Sequence, residues 1–251
     1  MFNPRLLCAA LLIVGLGGCG PAAVKPTPTV AVAAIPTATA TAVGAPNAAT
    51  HSGTPRPLTL TSSGPVPIEA GTYAADVPFL APLTFAVPNG WSGNIGGPYL
   101  VALGTNNDRS YFLIEILNKP FVYADPCHND RGFLNPLPGP SVDDLVTALK
   151  SMPSVTVSPV SDRSIGGLAA KQLMLTAPNS FADCTLTSDG QFQVWQPGWG
   201  VPDDMTPGES QQISIVEVDG QRLVIVTSAS PGADTSAIEG ILESISFTPQ
   251  H

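Results

Sequence analysis

Between Ile213 and Val226 the chain reads Ile-Ser-Ile-Val-Glu-Val, then Asp219-Gly220-Gln221, then Arg-Leu-Val-Ile-Val. Two β-branched runs joined by Asp-Gly form an antiparallel hairpin. The tight turn that matches strand twist needs positive φ at both central positions, and Asp and Gly reach it at low cost. This segment therefore commits the domain to antiparallel sheet with a buried surface. Other stretches agree. Leu83-Thr-Phe-Ala-Val87 alternates and stops at Pro88-Asn89-Gly90-Trp91, a strand ended by a turn. Tyr99 to Leu103 and Tyr111 to Leu117 read as a second hairpin, and Leu168 to Thr176 follows a Gly166-Gly167 turn as a further strand.

Two helices are predicted among these strands. Ser141-Val-Asp-Asp144 caps the first, with Val142, Leu145, Val146 and Leu149 on one face and Pro153 past its end. The second opens at Asp234 to Ser236, where Ser236 and Glu239 have the spacing of a capping box. It places Ile238, Ile241, Leu242 and Ile245 on one face, and a short strand at Ser246 to Thr248 follows. Hairpins with one helix between them and one near the end imply an α+β domain, an antiparallel sheet covered by two helices.

The first third of the chain cannot take part in such a core. From Gly20 to about Pro67 it is almost entirely Pro, Thr, Ala, Val, Gly and Ser. Such a stretch buries too little to offset its ordering entropy, so a disordered tether is expected. Extended at about 3 Å per residue, roughly 45 residues reach some 100 Å. The expected division is a signal peptide over 1–18, a tether over 19–69 and one α+β domain over 70–251.

The signal peptide reading rests on Arg5, an apolar run from Leu6 to Leu16, and then Leu16-Gly17-Gly18-Cys19. The run is too short to cross a bilayer, which takes about 20 residues, and has the length of a signal-peptide apolar region. Its last four residues resemble the lipobox of bacterial lipoproteins, an aliphatic residue and two small ones before the cysteine that is acylated. That resemblance implies lipid on Cys19, palmitate among its acyl chains, and attachment to the extracytoplasmic face of the cell membrane. Two acyl chains suffice for stable anchoring. Cys8 leaves with the signal.

Charge narrows the partners. All 19 acidic residues lie from Glu69 to Glu243, among only seven basic ones, a balance of −12. A field of that sign opposes phosphate backbones, so nucleic acid is not an expected partner.

The strand end Val87-Pro-Asn-Gly-Trp91, the central helix, the segment Gly166-Gly-Leu-Ala-Ala-Lys-Gln-Leu, and the hairpin leading to Ile241-Leu-Glu-Ser-Ile-Ser-Phe247 carry a resemblance. Over most of residues 71 to 248 the chain resembles uncharacterised extracytoplasmic proteins of actinobacteria and Chloroflexi. Its element order is also similar to the PsbP-like α/β/α sandwich. Neither resemblance supplies functional residues.

Chemistry-bearing candidates are few. Cys127 and Cys184 are an even pair in an exported domain and are expected to form a disulfide. Asp125-Pro-Cys-His-Asn-Asp130 concentrates polar groups without the spacing of a metal loop, so a turn beside the disulfide is expected and no metal site. His51 falls in the tether and His251 ends the chain, leaving His128 as the one histidine placed to serve a cell-envelope hydrolase. No serine lies in a nucleophile elbow, and no catalytic set or cofactor is expected. Trp195-Gln-Pro-Gly-Trp199, extended by Trp91 and Tyr99, is the candidate ligand surface. Indoles in a Pro/Gly loop form a stacking platform for a sugar or anchor a protein, or else they cap a small core. The function expected is a binding or accessory module for an envelope protein or glycan.

Overall fold

The computed structural model of the 251-residue chain describes residues 54–59, 65–75, 82–95, 100–105, 111–116, 120–186, 190–196, 204–230 and 232–248. The expected signal peptide, Cys19, most of the expected tether, Tyr99 and Trp199 lie outside the described residues.

The expected hairpin is the spine of the fold. Ser210–Val218 and Gln221–Ser228 pair with Val218 opposite Gln221, and Asp219 (φ 50°) and Gly220 (φ 74°) make the turn. Both strands are buried on both faces, and the layers follow from that. A large sheet runs in the order Ser161–Ile165, Leu168–Thr176, Ser210–Val218, Gln221–Ser228, Tyr111–Ile116, Leu100–Gly104, Trp91–Ile95, Val66–Ile68, and Thr156–Val157 adds to the strand Leu168–Thr176. Every pairing in it is antiparallel. Residues two apart share a face of a sheet. Ile213, Ile215, Val224 and Val226 accordingly enter one apolar cluster, and Val216, Val218, Leu223 and Ile225 enter another.

Helix α1 (Val142–Lys150) covers the first face with Leu145, Val146 and Leu149. Ser141 caps its start as expected, and the cap is a capping box: the Asp144 N–H donates to Ser141 Oγ at 3.1 Å, and the Ser141 N–H to Asp144 Oδ2 at 3.0 Å. Helix α2 (Ser236–Ser244) packs Ile238, Ile241 and Leu242 on the second face. There it is joined by a smaller sheet, ordered Arg56–Pro57, Gly71–Ala75, Leu83–Val87, Ser246–Phe247, which supplies Tyr73, Leu83, Phe85 and Val87. The fold is α+β, with the second face covered by a helix and a sheet together.

Two expectations need correction. The folded part begins before residue 70, since Arg56–Pro57 pairs with Gly71–Ala75 and Val66–Ile68 pairs with Trp91–Ile95. Their prolines made both segments look like tether. Pro67 is tolerated because its strand lies at the sheet edge, where no further ladder donor is needed. Arg56 closes this region: it donates to Glu69 Oε2 at 2.9 Å and to the Ala70 carbonyl at 2.8 Å, and lies 4.7 Å from the centre of the Tyr73 ring. At the start of α2 no capping box forms; the Ser236 N–H is held by Asp234 Oδ1 at 2.9 Å. Glu239 reaches instead to Arg163 at 2.7 Å and Gln212 at 3.3 Å.

Candidate functional site

The two described tryptophans do not form a common surface. Trp195 is fully buried, in a two-residue strand whose partner is Phe121–Val122, and it belongs to the cluster under α1. Trp91 is 3% exposed and belongs to the cluster under α2. The two indoles thus lie on opposite faces of the large sheet, which removes both from an aromatic ligand platform. The physical reason is long-range: a distant strand pairs over Trp195 and draws it inward, although its Pro/Gly neighbours suggest an exposed loop. Trp199 and Tyr99, the other members of the expected platform, fall outside the described residues.

Cys127 and Cys184 are bridged, with Cα atoms 4.6 Å apart and a sequence separation of 57. Cys127 sits in a 3-10 turn, Pro126–Arg131, and the Thr185 N–H donates to its carbonyl at 2.8 Å. Asp125 begins this turn and is almost wholly buried. Its Oδ1 accepts from the Cys127 N–H at 3.1 Å and from Ser154 Oγ at 2.9 Å, and its Oδ2 accepts from Arg131 at 3.2 Å. Asn129 donates to the Gln191 carbonyl at 3.1 Å. His128 Nδ1 accepts a long bond, 3.4 Å, from the Thr185 N–H. The polar run is therefore a cross-linked turn whose acid is occupied by the turn itself. Among the described residues no three His, Cys, Asp or Glu side chains group to hold a metal ion. Titration of the denatured, exported protein with a thiol reagent is expected to find no free sulfhydryl at Cys127 or Cys184. Two reactive thiols would contradict the bridge.

A feature without a sequence signal lies at the open end of the central hairpin. The start of Ser210–Val218, the end of Gln221–Ser228 and the loop before Ser210 enclose a cavity of about 420 Å³, walled by Tyr111, Thr206, Glu209, Ser228 and Ser230 among others. A second, of about 270 Å³, shares Ser210, Ser228, Ala229 and Ser230 with it and reaches Thr227, Gln212 and Glu239 beside the first turn of α2. Glu209 is the hub of the larger one. Its Oε1 accepts from the Tyr111 hydroxyl at 3.1 Å, Ser228 Oγ at 3.1 Å and Gln211 Nε2 at 3.3 Å. Its Oε2 accepts from the Thr206 N–H and hydroxyl, both at 2.9 Å. That carboxylate therefore ties the loop to the sheet. It can help shape a ligand site, but it lacks the open lone pairs a general base uses.

No family model and no curated protein matches the chain. Solved structures resemble it distantly. A protein of Bacteroides thetaiotaomicron shares 9% identity over 67% of this chain with a TM-score of 0.37, and the chain spans 46% of that protein's length. LpqN, involved in cell envelope biogenesis of Mycobacterium tuberculosis, shares 15% identity over 74% of this chain and 90% of its own, with a TM-score of 0.34. PsbP of the cyanobacterium Synechocystis shares 13% over 74% of this chain and 98% of its own, also with a TM-score of 0.34. At these values no site residue and no activity passes from them to this chain.

Proposed function

We propose that this chain is a lipid-anchored extracytoplasmic module that binds or supports a protein or glycan of the cell envelope, held to the membrane through Cys19. In this reading it belongs with the extracytoplasmic proteins of actinobacteria and Chloroflexi that its motifs resemble. The observation that carries it is the Cys127–Cys184 bridge, because a structural disulfide in a small domain belongs to an oxidising compartment. It accords with the lipobox-like Leu16-Gly-Gly-Cys19 and the long Pro/Thr segment after it. Among the described residues no helix is long and apolar enough to cross a membrane. Binding is favoured over hydrolysis by the engagement of the candidate groups. Asp125 accepts three intramolecular bonds and Glu209 five, and His128 meets a backbone N–H.

The anchor is tested by Cys19→Ala expressed as the full chain in a bacterium that processes lipoproteins. The variant is expected to accumulate as a heavier precursor with its first 18 residues retained, and to carry no acyl mass. Cleavage at the same place with unchanged detergent partitioning would overturn the anchor.

A further inference from the structure

We propose that the double cavity at the open end of the central hairpin is a binding site for a neutral saccharide of about two units. This rests on the reading of the domain as a binding module and names the ligand class that module takes. The two spaces, about 420 and 270 Å³, lie side by side at the end of the hairpin and share the wall residues Ser210, Ser228, Ala229 and Ser230. The larger falls within the roughly 300 to 1,000 Å³ typical of small-ligand sites, and the smaller lies just below it.

The walls select among ligand chemistries. The lining holds two carboxylates, Glu209 and Glu239, and no Lys, Arg or His. Phosphate, sulfate and acidic sugars are therefore repelled rather than clamped. A free amine gains little, because Glu239 is already paired with Arg163 at 2.7 Å and Glu209 already accepts from five donors. What the walls offer instead is hydroxyls set among apolar groups: the Tyr111 ring in the larger space, Met174 and Ile238 in the smaller. That alternation suits a pyranose, whose hydroxyls project sideways from C–H faces that rest on aromatic or aliphatic surface. Glu239 receives one bond on each oxygen, so about two of its roughly four lone-pair sites are left for ligand hydroxyls.

Thr227 points to a ligand independently of the cavity's shape. It is 4% exposed, lies on the face of the sheet beneath α2 and lines the smaller cavity. Its hydroxyl makes no hydrogen bond with any described residue. Thr227 Oγ1 is not among the described side-chain atoms that are both sealed from solvent and unpaired, so it opens on the cavity, where a ligand can reach it. A ligand hydroxyl arriving in the cavity supplies the missing partner.

The test uses the full lipidated chain in a detergent without a sugar headgroup. Neutral disaccharides (cellobiose, maltose, mannobiose, chitobiose) are titrated by calorimetry and saturation-transfer NMR, beside glucosamine and glucose 6-phosphate. At least one neutral disaccharide is expected to bind with Kd near or below about 1 mM. Thr227→Val is expected to weaken it about tenfold while the melting temperature holds or rises, because no internal bond is lost. Ala229→Trp, which places an indole on the wall common to the two spaces, is expected to abolish binding. No neutral disaccharide bound at about 10 mM, an unchanged affinity in Thr227→Val, or preference for the amine or the phosphate would each overturn the assignment. If sugar binding fails while the native lipoprotein still forms a stoichiometric complex with an envelope protein, the saccharide is wrong and the module reading stands. A Cys19→Ala chain that is processed and partitions normally strikes at the anchor instead and leaves the titration untouched.

Discussion

Trp195→Ala is expected to destabilise the domain by about 3 to 5 kcal/mol, the range for deleting a fully buried large aromatic side chain. The indole has no exposed surface and sits in one cluster with Leu145, Leu149, Phe192, Val224 and Val226. Its removal leaves a cavity that α1 and the sheet cannot both close on, because α1 is fixed at its N-terminus by the Ser141–Asp144 capping box. Urea unfolding of the full chain followed by far-ultraviolet circular dichroism measures the loss as a lower midpoint at unchanged slope. A change below about 1 kcal/mol would instead describe a surface indole and return Trp195 to the ligand platform. Trp91 on the other face is independent, so the two alanine substitutions are expected to add.

The features legible in the sequence were those whose cause is local. The Asp219-Gly220 turn and the α1 cap each depend on residues a few positions apart, and each forms where the pattern places it. The Ser236/Glu239 pair has equally good local spacing, yet Glu239 is claimed by Arg163, 76 residues away in sequence. An exposed cap hydrogen bond is worth about 1 kcal/mol, and a partly buried charge pair with a supporting amide matches it. Sequence spacing cannot arbitrate that competition. The same holds for Trp195, whose burial depends on the strand Phe121–Val122, and for Val66–Ile68, whose proline hid an edge strand. The cleft was least legible of all. Tyr111, Glu209, Ser228 and Glu239 come from two strands, a loop and a helix, and no short window of sequence holds enough of them to form a motif.

Arg222 is the second place where a large effect is expected, and sequence reading assigned it no role. It stands in the central strand Gln221–Ser228 with a side chain 1% exposed, pointing to the face that α1 covers. Its Nη1 donates to the Gly139 carbonyl at 2.7 Å and to the Ser141 carbonyl at 2.8 Å, so one buried cation holds the loop that starts α1. Burial pushes the guanidinium down to about 10, and the Asp144 carboxylate works against that shift. Arg222→Ala leaves those carbonyls without this donor and opens a cavity in place of a large buried side chain, which is expected to cost about 3 to 5 kcal/mol. Arg222→Met keeps much of the volume and leaves only the carbonyls short, for about 1 to 3 kcal/mol. The charge also fixes a pH dependence. The folded value lies below the ordinary one, so above about pH 10 the unfolded chain binds more protons and the contribution of Arg222 to stability rises with pH. Below that window the guanidinium is charged in both states. The difference between the native chain and Arg222→Met is then expected to stay flat from about pH 5 to 9. Urea midpoints of both proteins across that range give the answer. A difference that varies by more than about 1 kcal/mol there, or an Arg222→Ala chain as stable as the native one, would show that the loop at Gly139–Ser141 is held by something other than this side chain.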